Sequence, residues 1–117
     1  MKIRKVVHTE DFDDYYHSLD KRAATKFDEA IFYLETIYVL SKKFVKKLEI
    51  AETGMFEMRV SVGTNEHRTI LFAIDHENII QATTVILLNS FLKKDNKEYR
   101  KQIKKAINIL NNIEYGT

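Results

Sequence analysis

From Met55 the chain alternates in character. Phe56, Met58, Val60 and Val62 are apolar, while Met55, Glu57, Arg59 and Ser61 make a mostly polar opposite set, which predicts a half-buried strand. Gly63 to Glu66 then form a turn, and His67 to Ile74 make a second strand rich in β-branched and aromatic residues. Asp75 to Asn78 close a second hairpin, before a third strand that ends at Lys93 and Lys94. Pairing Val62 with His67 sets Ser61 opposite Arg68 and Arg59 opposite Ile70, so Arg59 and Arg68 become diagonal neighbours on one face. Pairing Ile74 with Ile79 adds Gln81, Thr83, Val85, Leu87, Asn89 and Phe91 to that face and aims Lys93 the same way. A one-residue bulge would reverse this parity beyond it. His67 falls on the opposite face.

Upstream the period changes to that of helices. Lys2 to His8 read as a short strand, and Thr9 with Glu10 and Asp11 supplies a hydroxyl cap and early acids for a helix start. Phe12, Tyr15, Tyr16 and Leu19 recur at helical spacing. After a break near Ser18 to Lys21 the stripe resumes with Ala23, Phe27, Ala30, Ile31, Leu34, Ile37 and Tyr38. This predicts a helical hairpin or one bent helix whose aromatic stripe packs on the apolar face of the sheet. Ser41 to Thr53 has no clean period and carries Lys42, Lys43, Lys46 and Lys47, which reads as a basic connector ending at Gly54. Asp95 and Glu98 resemble a capping box, and Tyr99, Ile103, Ala106, Ile107, Leu110 and Ile113 mark a terminal amphipathic helix stopping near Gly116. The order is β-α-α-β-β-β-α: an α+β fold in which an antiparallel meander sheet packs on an N-terminal helical hairpin and a C-terminal helix.

Composition narrows the function. With 117 residues, 44% of them hydrophobic, residues 1–117 suit a single domain with one core. The absence of cysteine excludes disulfides and thiolate metal sites and fits a reducing cytoplasm. No apolar run has membrane-spanning length, and the first residues lack the apolar core of a signal peptide. His8, His17, His67 and His76 have no HExxH-like spacing, and no glycine-rich phosphate loop or GxSxG elbow is present, so neither metal nor cofactor is expected. Net charge is only +2, but acidic residues concentrate before position 36 while SKKFVKK, FLKK and YRKQIKK make later patches basic. Such patches suit a polyanion, and equally a solvated surface.

One set of segments resembles a known family. Lys47-Leu48, then Met55-Phe56-Glu57-Met58-Arg59-Val60, then His67-Arg68-Thr69-Ile70-Leu71-Phe72, then Leu87 to Lys94, and finally Ile103-Lys104-Lys105-Ala106 are similar, in this order, to RelE/ParE-superfamily toxins of the HigB-like, phage-derived branch. The resemblance implies a RelE-like fold and the toxin of a type II toxin–antitoxin pair, partnered by a cognate antitoxin. It further implies a cytoplasmic endoribonuclease, an mRNA interferase that cuts mRNA on the ribosome and inhibits translation. The segment Asp95 to Tyr99 departs from the family pattern, and no basic tail follows.

The residues themselves suit that chemistry. Metal-independent cleavage, in which the RNA 2′-OH attacks the neighbouring phosphate, needs a base, a proton donor for the leaving 5′-oxygen and cations for the phosphoryl charge. Arg59 and Arg68 fit the cationic role, since a planar guanidinium grips phosphate oxygens and stays charged. Glu57 shares their face and serves either as base or as the anion that organises them. Lys93 and Lys94 match the family's paired lysines and serve as proton-transfer groups or as phosphate binders. Lys46, Lys47, His67 and Tyr99 complete the RNA-binding candidates, although a solvated loop, a packed histidine and helix packing account for them as well. Two other functions remain compatible with the sequence: a ParE-like gyrase inhibitor and a non-catalytic RNA-binding or adaptor domain.

Overall fold

The computed structural model describes residues 1–49 and 54–115. Its elements are β1 (Lys5–His8), α1 (Glu10–His17), α2 (Lys21–Thr36), β2 (Val45–Lys47), β3 (Met55–Val62), β4 (Asn65–Ala73), β5 (Thr84–Leu92) and α3 (Asn96–Tyr115). The strands form one mixed sheet in the order β1-β5-β4-β3-β2, with β1 parallel to β5 and every other pair antiparallel. The α+β class, the meander of three long strands and the flanking helices are as the sequence pattern predicts.

Capping chemistry explains the helix starts. Thr9 accepts a hydrogen bond from the Phe12 amide at 3.1 Å, and Asp20 accepts one from Ala23 at 2.8 Å. Asp95 accepts from the Glu98 amide at 2.8 Å, while the Glu98 carboxylate takes a bond from Gln102 at 3.1 Å, farther along the helix. The aromatic stripe is core: Phe12 and Phe27 are buried and pack with their rings tilted, centroids 6.3 Å apart. Ile37 and Tyr38 depart from expectation, because α2 ends at Thr36 and leaves both exposed beside Phe32, Tyr33 and Val39.

Further corrections concern the sheet. The presumed connector holds β2, a three-residue edge strand paired with β3, too short for its alternation to register; residues 50–53 of that connector lie outside the described residues. β3 is not half-buried, since α1 and α2 cover one face and α3 covers the other, so Met55 and Glu57 are buried along with Phe56 and Met58. The first hairpin turn is two residues, Gly63-Thr64, flanked by the Val62–Asn65 pair, and Gly63 takes φ 62°. A positive φ at the first turn position is what a tight hairpin of matching twist requires. Arg59 therefore sits directly opposite Arg68, not diagonal to it.

The second predicted hairpin is instead a long loop, because β4 ends at Ala73 and β5 begins only at Thr84. Asp75 organises it by accepting backbone bonds from Thr83 and Thr84. β5 also carries a bulge: Ile70 pairs with Asn89 but Leu71 pairs with Leu87, which leaves Leu88 extra. Asn89 and Phe91 stay on the arginine face, whereas Val85 and Leu87 are turned to the α1/α2 side. The bulge is anchored. Thr9 donates its hydroxyl to the Leu88 carbonyl at 2.5 Å, and its amide bonds Leu87 at 3.1 Å. The α3 stop expected near Gly116 lies outside the described residues.

Candidate active site

The site begins with an anion under α3. On β3, strand alternation points Glu57 and Arg59 to the α3 side, and the direct pairing of β3 with β4 brings Arg68 beside them. The Glu57 side chain is only 4% exposed and meets two hydrogen-bond donors and a second cation. Arg59 Nε lies 3.2 Å from Oε2, while Tyr99 Oη, from the first turns of α3, donates to Oε1 at 2.7 Å. Arg68 Nε is 3.7 Å from Oε1 and makes no hydrogen bond of its own, so its tie to Glu57 is mainly electrostatic. A carboxylate is stable there because two cations and a hydroxyl replace the water it loses.

Above Glu57 lies a cavity of about 280 Å³, lined by Lys46, Lys47, Leu48, Glu49, Glu57, Arg59, Lys93, Asn96 and Tyr99. Its walls come from three places: the edge strand β2 with the residues just after it, the outer half of β3, and the start of α3 with the end of β5. The Lys93 amide bonds the Glu66 carbonyl at 2.8 Å, which continues the ladder past β5 and carries this lysine to the cavity. Burial is the first cause that pushes the Tyr99 phenol well above its ordinary value, followed by the bond to Glu57. The phenol is therefore protonated at neutral pH and donates inward.

Six of the nine residues singled out from sequence thus line one cavity: Lys46, Lys47, Glu57, Arg59, Lys93 and Tyr99. Arg68 stands behind it, buried, with its guanidinium against Glu57. Lys94 is exposed just past β5 and lies outside the lining. His67 is on the other face, where its Nδ1 is 2.8 Å from Tyr15 Oη and its ring packs edge-on against Phe27. Among the described residues no cluster of three His, Asp or Glu side chains could hold a metal ion.

A phage-derived protein family, described as Gp49-like, matches residues 14–111. The chain belongs to the Gp49-like family. Among solved structures, a double arginine-to-alanine mutant of the Escherichia coli toxin RelE in the free state is similar in fold, with a TM-score of 0.60 over 90% of this chain and 98% of that one. Identity is 10%, so the likeness is one of architecture: the RelE-like fold that the sequence segments suggest. No curated protein sequence matches this one.

Sequence reasoning missed three cavity residues of this Gp49-like chain. Leu48 follows the unrecognised strand β2, and its buried side chain joins the core under α3. Glu49 comes after it, and its carboxylate is the second in a mostly cationic lining. Asn96 is the first residue of α3, and the Asp95 cap was the signal that could have placed it at the sheet end.

Proposed function

We propose that this Gp49-like protein is the toxin of a type II toxin–antitoxin pair and acts as a ribosome-dependent mRNA endoribonuclease. The observation that carries the reading is the cavity itself: Arg59, Lys46, Lys47 and Lys93 converge on a space whose floor holds Glu57 and Tyr99. The RelE-like fold supports it, since the similar structure is that of a toxin. A cognate antitoxin is the partner this reading implies, and mRNA on the ribosome is the substrate.

In this reading Arg59, 31% exposed, grips the non-bridging oxygens of the scissile phosphate and stabilises charge that grows as the 2′-oxygen attacks. Lys46, Lys47 and Lys93 hold the flanking backbone and supply ammonium protons near the leaving 5′-oxygen. Arg68, buried behind Glu57, keeps the carboxylate aimed at the cavity. Lys94, on the exposed approach, contributes to the attraction of the polyanion.

Primer-extension mapping of mRNA in cells induced for the wild type and for Arg59→Ala tests the proposal. Cuts within translated codons are expected from the wild type, with cleavage by the variant reduced about 10²- to 10³-fold if Arg59 acts as a charge-stabilising donor. Growth arrest without cuts would point to a replication target such as gyrase and overturn the ribonuclease reading.

A further inference from the structure

Glu57 presents a geometric problem for any reaction in the cavity. Arg59 and Tyr99 donate to it and Arg68 stands behind it, yet its side chain is almost wholly enclosed. With 4% of its side chain exposed and its two oxygens engaged by Arg59 and Tyr99, the carboxylate at the cavity floor offers a ribose hydroxyl little free surface. Tyr99 is different. It is half-buried, lines the cavity and hands its hydroxyl proton inward to Glu57 Oε1 at 2.7 Å. A phenol oxygen that donates one hydrogen bond still has lone pairs with which to accept another.

We propose that Tyr99 carries the proton from the RNA 2′-hydroxyl to Glu57, so that the carboxylate is the proton acceptor of the reaction without touching the substrate. This deepens the ribonuclease reading and rests on it. As the 2′-oxygen forms its bond to phosphorus, the 2′-OH proton passes to Tyr99 Oη and the tyrosine's own proton passes to Glu57 Oε1. The bond from phosphorus to the 5′-oxygen breaks, and that oxygen leaves with the electron pair and takes a proton from a cavity ammonium, Lys46 or Lys93. The products are a 2′,3′-cyclic phosphate and a free 5′-hydroxyl. After they depart, the proton on Glu57 returns to water through Tyr99, and the lysine is reprotonated from solvent. No oxidant, metal or second substrate enters the balance.

One other feature favours the relay. Phe91 packs edge-on against the Tyr99 ring at 6.0 Å, which holds the phenol in place between the sheet and α3.

The test is single-turnover cleavage of ribosome-bound mRNA by the purified chain, comparing wild type, Tyr99→Phe, Glu57→Gln and the double variant. Each reaction is run on the ordinary RNA and on RNA with a sulfur in place of the leaving 5′-oxygen at the mapped cut. Tyr99→Phe keeps the ring against Phe91, and thermal melts check that both single variants are folded. The expected result is a fall of about 10²- to 10³-fold for Tyr99→Phe at saturating protein, within the range of a lost acid–base group, with half-saturation unchanged. A similar fall is expected for Glu57→Gln, with little further loss in the double variant. The fall should persist on the sulfur substrate, whose leaving group needs no proton. Near wild-type cleavage by Tyr99→Phe would overturn the relay alone, as would rescue by sulfur, which would make Tyr99 the acid. Independent, multiplying losses would also overturn it. A wild type that cuts no ribosome-bound RNA would overturn the ribonuclease reading and the relay with it.

Discussion

The Arg4 guanidinium, 1% exposed, donates to five backbone carbonyls: Ile79, Leu34, Ile37, Tyr38 and Ile80. It closes the end of α2 onto the long loop before β5, two stretches with no regular ladder between them. Replacing Arg4 by Met keeps the aliphatic stem but orphans these carbonyls, each costing about 1–3 kcal/mol when left buried and unpaired. Urea unfolding of Arg4→Met should therefore show a loss of at least about 3 kcal/mol. His67 is a second buried polar residue, and burial is the main cause that lowers it from its ordinary value of 6.5, against smaller opposing effects of Asp20 and Glu66. Burial also pushes the Tyr15 phenol up to about 12, so it stays protonated where it shares a hydrogen bond with the His67 ring. With the folded value below the unfolded one, the unfolded chain binds more protons near pH 6. Stability should thus fall as pH drops through 6.5 toward the lowered folded value. Urea midpoints measured between pH 5 and pH 7.5 should show this slope in the wild type and a shallower one in His67→Gln. Arg68 has the same lesson for the site: a strand-face arginine reads as a surface cation, yet α3 buries it and makes it the support of Glu57.

Among the elements, β5 and β2 carry most of what the alternation pattern could not show. The β5 bulge turns Val85 and Leu87 toward α1 and α2 while leaving Asn89 and Phe91 beneath α3, and its freed carbonyl needs a donor. Thr9 supplies that donor and caps α1 with the same hydroxyl oxygen. Thr9→Val should therefore cost about 1–2 kcal/mol by loss of the cap alone, with further loss from the unpaired Leu88 carbonyl, read by denaturant midpoint. The starts of α1 and α3 were legible because Thr9 and Asp95 are capping residues placed just ahead of amphipathic stripes. β2 was not, since three residues of edge strand show no period and its lysines look like any solvated loop.

At the scale of the molecule, helices cover both faces of the sheet, and the cationic residues gather where β2, the outer half of β3 and the start of α3 leave an opening. Among the described residues no helix is long and apolar enough to cross a membrane. A cavity lined by Lys46, Lys47, Arg59 and Lys93 should bind single-stranded RNA with a strong salt dependence, because each neutralised phosphate releases about 0.7 counterion. Lys46→Ala with Lys47→Ala should weaken binding evenly across sequences and flatten the plot of log affinity against log salt by roughly one to two. A fluorescence titration at several salt concentrations checks this. An unchanged slope would place these lysines outside the RNA path.

Local chemistry was enough to define the class of fold, the three long strands, the helix starts and the face shared by Glu57, Arg59 and Arg68. Alternation, capping and helical period are properties of neighbouring residues, and they survive without knowledge of the rest of the chain. Burial, pairing partner and proton donor are different properties. Only the folded chain lays α3 over the polar face of β3, and that contact turns Glu57 from a surface carboxylate into an enclosed acceptor and sets Tyr99 beside it. The decision belongs to residues 42 positions apart, and no local pattern in either segment records the distance between them.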